Sequence, residues 1–136
     1  MIREASTFGK AIMIDTLSQS SDLYRQAREL MEKNQLEDAV RLFQQSIALS
    51  PHFKSLELLG ECFIRLNRLP EAVVPLAAAT TLNQGVRAPS LLADVFLKLE
   101  DYDRANEAAE IALSRDPNNR IALNAKKLAA DILGDA

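Results

Sequence analysis

Small and large apolar positions recur along the chain at a shift of 33 residues. Ala27, Gly60 and Ala93 fall in register, and so do Leu30, Phe63 and Phe96. The same shift aligns Ala39, Ala72 and Ala105, then Phe43, Leu76 and Ala109, then Ser46, Ala79 and Ala112. A further column holds Pro51, Gln84 and Pro117. Proline there closes two of the three units because it cannot continue a helical hydrogen-bond ladder. A gapless repeat of this period implies stacked units, each burying its apolar face against its neighbours.

Each unit reads as two helices. A small residue followed three positions later by a large one puts both on one helical face, the small residue permitting close approach and the large one filling the gap beside it. The predicted helices span about 20–33, 36–49, 53–66, 69–82, 87–99 and 102–115, with a seventh at about 119–133. Asn34-Gln35, Asn67-Arg68 and Glu100-Asp101 are the short polar connections expected between antiparallel neighbours. Pro70 and Pro89 suit first turns, whereas Pro75 lies inside a predicted helix and costs one ladder bond. In the seventh helix Ile121, Ala125, Leu128 and Ile132 form an apolar stripe opposite Arg120, Asn124, Lys127 and Asp131. That pattern predicts a closing helix with a polar outer face. Residues 1–19 lie outside the register, although Ile2, Ala5, Phe8 and Ile12 have helical spacing. This segment is expected to cap the first repeat or to lie across a neighbouring molecule.

These columns resemble the tetratricopeptide repeat family. The third unit is the most similar, with Ala93, Phe96, Tyr102, Ala105, Ala112 and the Asp116-Pro117-Asn118-Asn119 ending at the family's small, aromatic and proline positions. A period of 33 also suits ankyrin repeats, but their Thr-Pro-Leu-His turn is absent. The resemblance implies an all-α fold, a right-handed α-solenoid of antiparallel helix pairs. Its organisation would be an N-terminal segment 1–19, then a repeat domain 20–136 with units at about 20–52, 53–85 and 86–118 and a capping helix at 119–133.

A net charge of -3 without a cluster of Lys and Arg leaves no excess to neutralise phosphates, so nucleic acid is not an expected partner. No segment approaches the roughly 20 apolar residues of a membrane span. The single cysteine, Cys62, forms no internal disulfide and builds no cysteine metal site, so the cytoplasm is the expected location and no metal or cofactor is implied. One histidine, His52, and one cysteine ten residues away offer no convergent groups for acid-base or nucleophilic work, which argues against an enzyme. His52 reads as a solvated turn residue and Cys62 as a core thiol.

The resemblance implies instead a concave surface lined by the first helix of each repeat, with a protein or peptide lying along it. The positions it presents are Tyr24, Arg28, Met31 and Glu32; then Lys54, Glu57, Glu61, Ile64 and Arg65; then Arg87, Ser90, Asp94, Leu97 and Lys98; with Lys127 extending the row. Tyr24 and Arg28, one turn apart, are the leading pair, since an aromatic ring and a cation can hold a ligand side chain together. Family members that clamp a chaperone's C-terminal carboxylate use a Lys and an Asn in the first helix, a second Asn, and a Lys and Arg pair in the third. Here those positions read Tyr24, Arg28, Leu58, Arg87 and Leu91, and only Arg87 fits. The expected function is a scaffold or adaptor. A self-assembling structural protein and a chaperone for an export substrate remain as alternatives.

Overall fold

The computed structural model describes residues 2–134, and their side chains apart from those of residues 2–6 and 8. Seven helices follow in order: α1 (Ile2–Glu32), α2 (Leu36–Leu49), α3 (Phe53–Arg65), α4 (Leu69–Leu82), α5 (Arg87–Lys98), α6 (Tyr102–Arg115) and α7 (Arg120–Leu133). Each helix packs on the next, and α7 also reaches α5, giving an α-solenoid of three helix pairs and a closing helix. Pro70 and Pro89 fall in first turns, and α4 runs on through a buried Pro75.

The turn inside each pair is the same structure three times. Asn34, Asn67 and Glu100 adopt left-handed φ values of 59°, 58° and 61°. Their amides donate to Met31, Ile64 and Leu97 carbonyls at 3.0, 3.0 and 3.1 Å. The following amides of Gln35, Arg68 and Asp101 reach back to Leu30, Phe63 and Phe96 at 2.9, 2.8 and 2.9 Å. This paired arrangement satisfies carbonyls that a helix end leaves bare. Asparagine tolerates the conformation, but glutamate carries the full steric cost of a Cβ there.

Packing within a pair is set by the small column. Ala27, Gly60 and Ala93 are all buried, and so are Phe43, Leu76 and Ala109 on the partner helices. A Cβ added to Gly60 would stand 2.6 Å from Leu76 Cγ, so the Leu76 side chain of α4 fills the space beside the α3 backbone that any larger residue would need. In the first pair a serine clasp adds to this: Ser20 Oγ donates to the Ser46 carbonyl at 2.9 Å, and Ser46 Oγ donates to the Ser20 carbonyl at 2.7 Å.

Ties between successive repeats come from arginines. Arg65 donates to Asn34 Oδ1 at 2.9 Å. Arg68 lies 5.0 Å over the Phe63 ring and pairs with both Glu71 and Glu37. Its hydrogen bonds hold the Glu71 carboxyl below the ordinary carboxylate value. Arg115 donates to the Thr80, Asn83 and Gly85 carbonyls at 3.1, 3.0 and 2.9 Å, which places a cation on the bare C-terminus of α4.

Two expectations are corrected. The first helix does not begin near residue 20: α1 is unbroken from Ile2, and Ile12, Met13, Ile14 and Leu17 on it are exposed. The inward spacing of Ile2, Ala5 and Phe8 lies outside the described side chains. In α7 the buried residues are Ala122, Ala125 and Ala129, while Ile121, Leu128 and Ile132 are exposed. Of the predicted stripe, only Ala125 turns inward. The buried residues of α6, the helix on which α7 packs, are Ala105, Ala108, Ala109 and Ala112, and small side chains on both helices allow close approach.

The turn geometry generates a stability test. Glu100→Asn is expected to stabilise the protein by about 1 kcal/mol, and Asn67→Glu to destabilise it by a similar amount. Urea denaturation followed by circular dichroism measures both, and equal midpoints for the three proteins would contradict the strain assigned to Glu100.

Candidate ligand groove

At the N-terminal end of the groove, α1 presents Tyr24 and Arg28. The half-buried Tyr24 ring packs 6.0 Å from the Phe43 ring, tilted by 59°, so the core fixes its orientation. Arg28 lies with its guanidinium carbon 5.9 Å from the Tyr24 centroid, at the outer limit of a cation–π contact. Among the described residues Arg28 has no ion pair, which leaves its donors available. Together with Arg25, Glu29 and Glu32 the pair lines an open concavity of about 450 Å³.

Further along, the charges are occupied. Glu57 is buried, and its Oε1 accepts from Lys54 Nζ at 3.3 Å and from Arg87 Nε at 3.2 Å. Arg87 also meets Glu61 at 2.9 Å, and Lys98 meets Asp94 at 2.9 Å. Lys127 is exposed on α7 with no ion pair among the described residues. Several positions expected in the groove therefore do other work. Glu57 is an internal counter-ion between α3 and α5. Ser90 is buried, its Oγ donating to the Arg87 carbonyl at 2.8 Å. Met31, Ile64 and Leu97 are half-buried against the core, and Arg65 is engaged by Asn34. A bare sequence position cannot reveal such burial, because it depends on the neighbouring helix supplying the countercharge.

Groups able to do covalent chemistry are in ordinary structural roles. His52 caps α3, its Nδ1 accepting from the Lys54 amide at 3.2 Å, which puts the proton of the neutral ring on Nε2. Cys62 is fully buried, and burial pushes its thiol up to about 11, with Glu61 adding and Arg65 opposing. Among the described residues, no three His, Cys, Asp or Glu side chains gather to hold a metal ion. Nor is any described helix long and apolar enough to cross a membrane.

Comparison with known proteins agrees with this architecture. The tetratricopeptide repeat profile matches residues 24–85 and 90–135. The chain belongs to the tetratricopeptide repeat family. Among solved structures, this tetratricopeptide domain is similar to the first such domain of Spaghetti (RPAP3) bound to the HSP90 peptide SRMEEVD. The TM-score is 0.78 at 18% identity, over 86% of this chain and 94% of that one. The Arabidopsis OM64 domain gives a TM-score of 0.77 at 19% identity, covering 85% of this chain and 98% of that one. The TPR2B domain of yeast Sti1, in a complex with pHsp70, gives 0.74 at 18% identity, covering 84% and 98%. These likenesses establish the fold. No curated protein sequence matches the chain.

Burial of Cys62 in this tetratricopeptide core sets a chemical expectation. The folded thiol keeps its proton to about pH 11 rather than its ordinary 9.0, so folding binds a proton above pH 9 and stability falls as pH rises from there towards 11. At pH 8 the native thiol should react with Ellman's reagent at least about a hundredfold more slowly than the urea-unfolded chain. Equal rates would place Cys62 outside the core.

Proposed function

We propose that this chain is a protein-interaction scaffold that holds a peptide or protein segment in the groove formed by α1, α3 and α5. The observation that carries this reading is the division of charge along the groove. Towards α5 the ionic groups satisfy one another, whereas at α1 a core-anchored aromatic ring stands beside an arginine with no ion pair among the described residues. A ring that packing has already ordered, next to an unpaired cation, loses little freedom when a ligand docks. The Spaghetti and Sti1 domains were solved with an HSP90 peptide and pHsp70, which supports a peptide as the class of ligand. At the carboxylate-clamp positions Leu58 and Leu91 are half-buried against the core, and Arg87 is committed to Glu57 and Glu61. That pattern favours a different peptide from a clamped chaperone tail.

The test is affinity capture from the source lysate by the native chain and by a Tyr24→Ala, Arg28→Glu, Asp94→Lys variant, after circular dichroism shows both folded. A partner retained by the native chain should fall at least about tenfold with the variant, as expected for loss of a charge-assisted anchor. Equal recovery by both would remove the groove from consideration.

A second reading has its own observation. Ile12, Met13, Ile14 and Leu17 on α1, and Ile121, Leu128 and Ile132 on α7, form two exposed apolar faces of the kind that mark contacts between molecules. If they mediate self-assembly, light scattering across a concentration series will show mass rising above the monomer. A constant monomer mass ends that reading.

A further inference from the structure

Between α1, the end of α2 and the first turn of α3 lies a cavity of about 250 Å³ that adjoins the candidate groove at Tyr24 and Lys54. Ser20, Ser21, Tyr24, His52, Lys54 and Ser55 contribute to its wall, and none of its lining residues is an Asp or Glu. That is unusual for a chain of net charge -3 whose other surface concavities include acidic residues.

Three features give the cavity its chemistry. First, Ser55 is only 2% exposed and its hydroxyl makes no hydrogen bond among the described residues; no fully buried side-chain polar atom there lacks a partner, so the little surface Ser55 keeps is its hydroxyl, on the cavity wall. Second, the cavity is open to the N-terminus of α3, a helix of 13 residues. There the Lys54 amide is capped by His52, while the Phe53 and Ser55 amides have no partner among the described residues, and such an end favours negative charge. Third, Lys54 Nζ stands on the rim, lightly held by Glu57 at 3.3 Å. Glu57 has Arg87 as a second partner, so Lys54 can turn to the cavity without stranding a buried carboxylate.

The repeat itself shows what is missing. A shift of 33 residues carries Tyr24 onto Glu57 and Lys54 onto Arg87. At the α3–α5 junction, then, the equivalent place is filled by a carboxylate of the protein, buried and 3.2 Å from its cation. At the α1–α3 junction the cation remains, the carboxylate is replaced by a tyrosine whose hydroxyl makes no hydrogen bond among the described residues, and space is left over. Resting on the groove reading above, we propose that this cavity takes a single oxyanion group, a carboxylate or a phosphate, carried by the ligand in the groove. The oxyanion would sit against the first turn of α3, accepting from Ser55 Oγ, the free amides and Lys54 Nζ.

The experiment uses free probes, so it is independent of the partner. The ¹⁵N-labelled full chain is titrated with sodium acetate and, separately, with inorganic phosphate, at constant pH and ionic strength. The amides of Phe53, Lys54 and Ser55 should shift saturably. Lys54→Gln should weaken the tighter probe about tenfold, and Ser55→Ala about threefold, in line with loss of a charged and a neutral donor. Ser55→Ala is expected to fold, because the register places Ala88 at the same position one repeat on. Tighter acetate assigns the site to an acidic side chain, and tighter phosphate to a phosphorylated one. Shifts that stay linear, that spread equally over the other helix N-termini, or that survive Lys54→Gln unchanged overturn the proposal. Saturable probe binding together with unaltered partner capture by the groove variant would overturn the groove reading and leave the anion site standing.

Discussion

Everything in this fold depends on how closely the two helices of a repeat can approach, and one position per repeat sets that limit. At Gly60 the volume a methyl group would need is already filled by Leu76, so the margin is smaller than one carbon atom. With five Phe, two Tyr and no Trp, the chain has few large anchors to bury. It gains dispersion instead from alanine surfaces held at short range, most plainly where α6 meets its neighbours. Close approach also requires the chain to reverse within three residues, and the left-handed residue at Asn34, Asn67 and Glu100 makes that reversal possible. Small column and turn share the 33-residue period because each needs the other.

The ties between repeats follow a second rule. Stacking puts carbonyls at helix ends and carboxylates on adjacent first helices near one another, and arginines fill the gaps. Arg115 on the end of α4 and Arg87 across α3 and α5 are fixed in this way. These contacts consume groove charge. A count of charged residues along the concave face therefore overstates what is free to meet a ligand, and the free groups gather at the α1 end and on α7.

The fold was legible because its cause is periodic. Small residues, turns and prolines recur at one spacing, and a recurring cause survives without knowledge of any contact. The site was less legible because its determinants compare one side chain with another in space. Glu57 and Tyr24 share a register position, yet one is a buried counter-ion and the other a ring packed on Phe43. Nothing in the sequence singles out Ser55, whose hydroxyl has no partner among the described residues and lies on the cavity wall. Helical spacing alone cannot choose between a stripe of Ile and Leu and an adjacent stripe of Ala on α7; the structure buries the alanines, as it does on α6. Likewise, register marks where repeats begin, but nothing in it stops a helix from continuing, so α1 runs back through residue 20 to Ile2.

In the seventh helix the small column is interrupted. Continuing the column of Ala27, Gly60 and Ala93 by another 33 residues leads to Lys126. A lysine there forbids the close approach on which every earlier pair is built, and its ammonium reaches back to Glu110 on α6 at 3.7 Å. Packing as close as that within the earlier pairs is blocked at this position of α7, even though Ile121, Leu128 and Ile132 leave apolar area exposed. The corresponding positions one repeat earlier are Ala88 and Val95 of α5 and Leu99 just after it, of which the first two are buried. A second copy meeting this face would have to pack at a wider separation than the repeats do, held by branched side chains rather than alanines. Such a contact would use the ends of the solenoid and leave the concave surface open, so binding in the groove and association at the ends draw on different residues and do not exclude each other.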